Sequence, residues 1–230
     1  MARRCGYDMR MDVTTAVNTR ASIRSFLPTP VADEQIADLL RTASRAPSGG
    51  NVQPWRIYVV NGDATKRLVE RVAAAEPEKP LYDVYPANLW EPYRTNRYSL
   101  GEAMYETMQI GRDDKAARYA HLARNYEFFG APAAIFCFLD TKMGPPQWSD
   151  AGMFLQTFML LATEAGLDTC AQEAWANWPQ TVKDFVGAPD DEMLFCAVAI
   201  GHADHDAPVN SLRSERMPIE EFVTFVGGSG

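Results

Sequence analysis

Arg20, Ser22 and Arg24 stand at alternate positions in Arg20-Ala21-Ser22-Ile23-Arg24-Ser25-Phe26. In an extended segment, residues two apart project to the same side. Two guanidinium groups and a hydroxyl can therefore converge on one anion. Guanidinium meets phosphate oxygens bidentately and a hydroxyl adds a neutral donor, so the chemistry suggested is the grip of a phosphate dianion. Taken alone the triplet also fits a solvated surface stretch, because short motifs recur by chance. A second run follows: Ala46-Pro47-Ser48-Gly49-Gly50-Asn51-Val52-Gln53-Pro54-Trp55. Past Pro47, Gly49 and Gly50 let backbone approach a planar ligand closely. Ser48, Asn51 and Gln53 supply donors and acceptors for such a ligand's edge. The plainer reading of this run is an ordinary helix-to-strand turn.

Other constellations lead elsewhere and are weaker. His202, Asp204, His205 and Asp206 look like metal ligands, but they are nearly consecutive in one loop, with no distant ligand to close a tetrahedron. No metal site is expected. Ser48 lies in Pro-Ser-Gly-Gly rather than a G-x-S-x-G elbow, and His121 is isolated, so nucleophilic catalysis is not expected. No G-x-G-x-x-G opens a helix after a strand, and no glycine loop carries a Walker lysine. A nicotinamide, if used, would visit rather than occupy a dinucleotide fold.

The elements that must hold these residues follow from length and pattern. A chain of 230 residues with 47% apolar content can bury one sizeable core. Its 22 basic against 30 acidic residues, net −8, argue against a nucleic-acid partner. No apolar run reaches the roughly 20 residues of a membrane helix, and Met1-Ala2-Arg3-Arg4 has no apolar stretch behind it, so no secretory signal is expected. The four cysteines, Cys5, Cys137, Cys170 and Cys196, show no CxxC spacing; a reducing cytoplasmic setting without disulfides is expected.

Ile36, Leu39, Leu40 and Ala43 predict a helix over residues 33–45. Residues 56–60 predict a strand, with Asp63 as N-cap of a helix reaching residue 75. Prolines punctuate an irregular aromatic stretch around residues 77–93, and helices are predicted over 99–110 and 115–126. Residues 133–139 read as a strand buried on both faces. Residues 150–165 read as a helix apolar on most sides, central or at a subunit interface, ended by Gly166. A short helix near 181–186 and a buried strand over 193–200 complete the pattern. Without a repeating βα unit, this order suits an α+β sandwich better than a doubly wound sheet.

The two opening motifs come first in an ordered set of four. Gly166-Leu167-Asp168-Thr169-Cys170-Ala171-Gln172-Glu173-Ala174-Trp175 is the third, and Gly201-His202-Ala203-Asp204 with Asn210-Ser211-Leu212-Arg213-Ser214-Glu215-Arg216-Met217-Pro218 is the fourth. In this order, over nearly all of the chain after Met11, they resemble the nitroreductase family of FMN-dependent oxidoreductases. The stretch Asn88-Leu89-Trp90-Glu91-Pro92-Tyr93 and Gln147-Trp148 resemble its nitrobenzoate- and nitroaryl-reducing branch. The resemblance implies a three-layer sandwich, a mixed central sheet flanked by helices, in an intertwined homodimer with FMN at the interface. It implies that Arg20, Ser22 and Arg24, with Arg216 and secondarily Arg213, hold FMN, and that residues 47–51 reach the flavin of the opposite subunit. Many members have a lysine where this chain has Ser214, and usually a glycine where it has Ala174. On that match the amide of Ala174 donates to flavin N5, with Glu173 beside it; a charged Glu173 there could orient water or the proton source, or be a plain exposed loop acid. The density of prolines and rings suggests a lid within residues 77–125, with Trp90 and Tyr93 in it and the later Trp148 as substrate-stacking rings. NADH or NADPH would be a transient hydride donor. Residues 1–10 read as an extension to a single domain over 11–226, and 227–230 as a flexible tail. Other aryl, quinone or enone acceptors, flavin reductase activity and a non-catalytic FMN-binding protein stay open as alternatives.

Overall fold

A computed structural model describes residues 11–227; the expected extension, and the tail apart from Gly227, lie outside the described residues. Helix α1 (Val13–Thr19) starts where Asp12 accepts from the Thr15 N–H at 2.7 Å. Strand β1 (Phe26–Leu27) leads to α2 (Asp33–Ala43), which buries Ile36, Leu39 and Ala43 as its periodicity requires. After the turn of residues 47–55 come β2 (Arg56–Asn61) and α3 (Asp63–Ala73). Asp63 is the first residue of α3 rather than its cap, which is Gly62. Two helices, α4 (Tyr93–Thr107) and α5 (Lys115–Ala123), form an excursion before β3 (Ala133–Asp140). The long α6 (Pro145–Glu164), β4 (Asp168–Gln172), α7 (Pro179–Val186) and β5 (Glu192–Ala203) complete the order.

The central sheet runs β2–β3–β5, and β5 carries β4 and β1 on its other edge. All pairings between these strands are antiparallel. The parallel component is a single bridge between Ser22 and Thr169, so the mixed character expected of the sheet is confined to the segment that carries the arginines.

Alternation along β3 divides the core in two. Ala133, Ile135, Cys137 and Leu139 face α2 and α6, together with Cys196, Val198 and Ile200 of β5. Ala134, Phe136 and Phe138 face the other way, onto Leu68 and Val72 of α3, Val182 of α7 and the fully buried Trp175. Helices on one face, a sheet buried on both sides, and helices with aromatic turns on the other make three layers. At Gly201 the layers touch: a Cβ there would stand 2.8 Å from Pro132 Cδ and 3.0 Å from the Phe26 ring. Only glycine fits.

The excursion is tied down by Met104 and Tyr105 of α4 packing on Val209, and by the buried His121 of α5. The His121 ring lies between Tyr105 and Phe129, centroids 6.2 and 5.9 Å away, and its Nε2 has no hydrogen-bond partner among the described residues. Burial, with the charges of Arg124 and Arg24, pushes its pKa down to about 4. Its unfolded value is near 6.5, so between these values the unfolded chain binds more protons and stability falls as pH falls. Proton uptake by the unfolded chain should therefore cost the fold about 2 to 3 kcal/mol between pH 7 and pH 4. In urea unfolding across pH 7 to 4.5, His121→Phe should lose about 2 kcal/mol less stability than the wild type. Equal slopes for the two proteins would remove His121 as the acid-sensitive group.

Candidate functional site

The arginine segment lies along the edge of β4. Besides the Ser22–Thr169 bridge, the Ile23 N–H donates to the Thr169 carbonyl at 3.0 Å. Ile23 is buried, and the half-buried Arg20, Ser22 and Arg24 alternate with it, as an extended strand requires. A bend at Arg24 and Ser25 ends the extended run. Across from it, the loop after β5 brings Arg216 beside Arg20. Burial, and then the Arg216 charge, hold the Arg20 guanidinium below its ordinary range.

No carboxylate answers these charges. Among the described ion pairs none involves Arg20, Arg24, Arg213 or Arg216, in a chain with eight more acidic than basic residues. Like charges gathered without a counter-charge suit a phosphate dianion, the chemistry the alternate spacing suggested. Arg216 meanwhile folds onto its own loop: Nη1 donates to Ser214 Oγ at 2.6 Å and to the Glu215 carbonyl at 2.9 Å. Ser214, in the position where lysine was the family expectation, thus accepts from the neighbouring arginine. Arg213 Nη1 donates to the Asn210 and Leu212 carbonyls at 3.0 and 2.9 Å.

Asn210 joins the two halves of this cradle, a role that its place in the fourth motif does not announce. It is 7% exposed. Its Oδ1 accepts from the Arg24 N–H at 2.8 Å, and its Nδ2 donates to the Ser25 and Asp204 carbonyls at 2.7 and 2.8 Å. An asparagine in a polar loop has no periodic signature; only its burial marks it.

The turn of residues 47–55 contains a short 3-10 helix, Gly49–Asn51. Gly50, Asn51 and Gln53 all have positive φ, at 57, 57 and 51°. That conformation is natural for glycine and tolerable for asparagine; for Gln53 it stores strain. The Gln53 N–H donates to Ser48 Oγ at 3.0 Å, and Gln53 Nε2 to the Asn51 carbonyl at 3.2 Å. Asn51 and Gln53 are exposed on the single chain, open to a ligand or another surface.

Glu173 and Ala174 open the 3-10 helix Glu173–Asn177, which leaves β4 at Gln172. N–H groups at a helix start have no intrahelical acceptor, so the Ala174 amide lies where a donor is available. Glu173 keeps an exposed edge, yet crowding by neighbouring atoms pushes its carboxyl pKa up. Tyr82 stands near it, and burial above all pushes its phenol up. The Tyr82 hydroxyl donates to the Phe195 carbonyl, and its ring meets Trp148 edge-on at 5.4 Å.

The three rings read as substrate contacts fall in two places. Trp148 packs on Tyr82 and Phe195, its ring 5.7 Å from that of Phe195. Trp90 and Tyr93 make a separate edge-on pair, 5.6 Å apart, and are 58% and 52% exposed. An apolar box at the sheet and a pair of open rings on the excursion are therefore distinct features of one chain. A cavity of about 160 Å³ lined by Gln53, Arg56, Asp140 and Glu192 is too small for a flavin and faces acids. The His202–Asp206 loop forms no metal cluster among the described residues.

A sequence model described as the nitroreductase family matches residues 17–202. A 4-nitrobenzoate reductase of Pseudomonas putida is 35% identical over 218 residues, covering 94% of this chain and 96% of its own. A nitrobenzene nitroreductase of Ectopseudomonas oleovorans is 35% identical over 215 residues, with 91% and 95% covered. The crystal structure of the FMN- and NADPH-dependent nitroreductase NfnB from Sphigopyxis sp. strain HMH superposes with a TM-score of 0.89. It is 42% identical, covering 94% of this chain and 100% of that one. NfnB from Mycobacterium smegmatis, solved in complex with NADPH, gives a TM-score of 0.84 at 27% identity, with 94% and 100% covered.

Proposed function

The chain belongs to the nitroreductase family, and from that premise we propose that it is an FMN-dependent NAD(P)H oxidoreductase that reduces nitroaromatic compounds. The observation that carries the assignment to this site is the set of arginines, Arg20 beside Arg216 with Arg24 and Arg213, unanswered by any carboxylate among the described ion pairs. Bound there, FMN would supply hydride transfer from NAD(P)H to a nitroaryl acceptor, the two visiting one face in turn.

The residues of the chain do the rest. Arg20, Ser22 and Arg216 hold the phosphate, with Arg213 in support. Arg24 supplies positive charge at the pyrimidine edge, where negative charge gathers on reduction. The amide of Ala174 donates toward N5. Glu173, its carboxyl raised by crowding, keeps a proton to higher pH than an open glutamate. Glu173 stands beside that amide, where it would orient water or the proton source for the acceptor. Ser48, Gly49, Asn51 and Gln53, in the strained turn behind Pro47, present donors and acceptors to the ring edge.

Substrate enters over Trp90 and Tyr93, exposed rings on which an aryl group can stack, and Trp148 with Tyr82 forms the apolar floor. Residues 77–125 act as the lid over a single domain of residues 11–226. The working unit is a homodimer with FMN at its interface. Val13, Val17, Met153, Phe222 and Phe225 support this, since the single chain leaves them 74, 50, 38, 66 and 80% exposed. No described helix is long and apolar enough to cross a membrane, and Cys137, Cys170 and Cys196 are free thiols. Both observations are compatible with the reducing cytoplasm as its compartment.

Steady-state kinetics on FMN-loaded protein test this function. With NADPH or NADH varied at several fixed nitrobenzoate concentrations, parallel double-reciprocal lines are expected, because one face serves both reactants. Intersecting lines would contradict the shared face. No acceptor-dependent consumption of either nucleotide would remove the activity.

A further inference from the structure

Helix α6 carries one ionisable group on an otherwise apolar inner face. Asp150 is 5% exposed, and Ala151, Phe154, Leu155 and Phe158 are buried beside it. A carboxylate in such a place is costly unless donors meet it. The Gly49 N–H donates to both of its oxygens, at 3.3 and 3.2 Å. A Cβ on Gly49 would come within 4.0 Å of Asp150 Oδ2, so carboxylate and backbone are in direct contact. One turn along the same helix, Phe154 stacks on Trp55 with centroids 4.8 Å apart and planes at 20°.

Helix α6 therefore grips the turn of residues 47–55 near each end, by a carboxylate at Gly49 and by a ring at Trp55. Between the grips lie the three left-handed residues Gly50, Asn51 and Gln53. Such backbone persists only where its surroundings over-determine it. Inside the turn the Gln53 N–H donates to Ser48 Oγ and Gln53 Nε2 to the Asn51 carbonyl, and the Asn51 and Val52 N–H groups donate to the Ser48 and Gly49 carbonyls at 2.9 and 3.2 Å. From outside the turn, the anchor at the glycine end is Asp150.

We propose that Asp150 is a positioning residue for the flavin: its carboxylate fixes the Gly49 N–H and so sets the donors of residues 49–53 against the ring edge. This rests on the FMN site described under Proposed function. There the arginines supply most of the affinity, while Asp150 governs how the ring is seated. An apolar residue at position 150 would still pack into α6, but it would release the Gly49 N–H and let the strained turn relax. An amide keeps one acceptor and part of the anchor.

The test is FMN titration of apoprotein, visible circular dichroism of the bound flavin, and kcat and KM for a nitrobenzoate, for wild type, Asp150→Leu and Asp150→Asn. Asp150→Leu is expected to weaken FMN roughly ten-fold, the equivalent of one hydrogen bond to a charged group. It should also alter the dichroism and lower kcat more than it raises KM. Asp150→Asn should recover the wild-type dichroism and most of the affinity, a rescue that lost helix packing alone would not give. If Asp150→Leu does not fold, Asp150→Ser replaces it, with a polar group too short to reach Gly49. Wild type and variant with matching dichroism and affinities within two-fold would overturn the role of Asp150 alone. Wild type that binds no FMN would overturn it together with the functional assignment.

Discussion

Replacing Arg20 and Arg216 together with Ala should raise the FMN dissociation constant about a hundred-fold or more and leave the apoprotein folded. A hydrogen bond to a charged group contributes about 1.5 to 3 kcal/mol, so two guanidinium groups on one phosphate contribute about 3 to 6. Each 1.4 kcal/mol is a factor of ten, giving a loss of about 10² to 10⁴. The lower end is favoured, since Arg216 must first leave Ser214 Oγ and the Glu215 carbonyl. The apoprotein should lose nothing: burial and the Arg216 charge already disfavour charged Arg20, and removing both relieves that repulsion. Isothermal titration with FMN and apoprotein melting are the two readouts. A double variant that purifies fully yellow would show that the phosphate lies elsewhere.

Asn210→Ala should destabilise the fold by about 3 kcal/mol, because three buried hydrogen bonds vanish and their partners lose compensation. For a chain of this size that lowers Tm by about 6 to 12 °C. Asn210→Asp gives a sharper comparison. It keeps an acceptor for the Arg24 N–H but turns a second oxygen toward the Ser25 and Asp204 carbonyls, so it should destabilise at least as much as Ala. Both variants should also weaken FMN, since Asn210 keeps the arginine segment and the loop after β5 in register. Thermal melts with and without FMN separate these effects. A Tm within about 2 °C of wild type for Asn210→Ala would mean that water replaces the side chain at little cost.

The elements visible in the sequence are those whose burial is periodic or complete. Ile36, Leu39 and Ala43 mark α2 because one helical face meets the core, and β3 shows as an unbroken apolar run because both faces are covered. Where burial is partial the signal fades. β4 holds Asp168, Thr169 and Gln172 among its residues and shows no strand pattern, yet it pairs with β5 and carries the arginine segment. α4 begins at Tyr93, earlier than expected, in a stretch of exposed aromatic and charged residues without a marked apolar face. α6 begins at Pro145, five residues before the apolar pattern; prolines fit the first helical turn, whose N–H groups are unpaired in any case.

The site divides in the same manner. The alternation of Arg20, Ser22 and Arg24 is legible because strand periodicity acts on residues close in sequence, and the Ser22–Thr169 bridge provides the extended backbone it assumes. Asn210 and the Asp150–Gly49 contact could not, because each joins segments separated by about a hundred residues or more. A charged residue inside the apolar run of α6 was the one local sign of Asp150. Trp90, Tyr93 and Trp148 looked alike as aromatic residues, but only the fold separates the exposed pair from the ring packed under Tyr82.

An anaerobic absorbance titration shows whether a bound flavin takes hydride from a nicotinamide and gives it to a nitro group. FMN-loaded protein is recorded alone, after one equivalent of NADPH or NADH, and again after a nitrobenzoate is added. The flavin band should bleach with the nucleotide and return with the nitro compound. A protein that takes up no FMN, or whose bound flavin stays yellow with both nucleotides, would contradict the account.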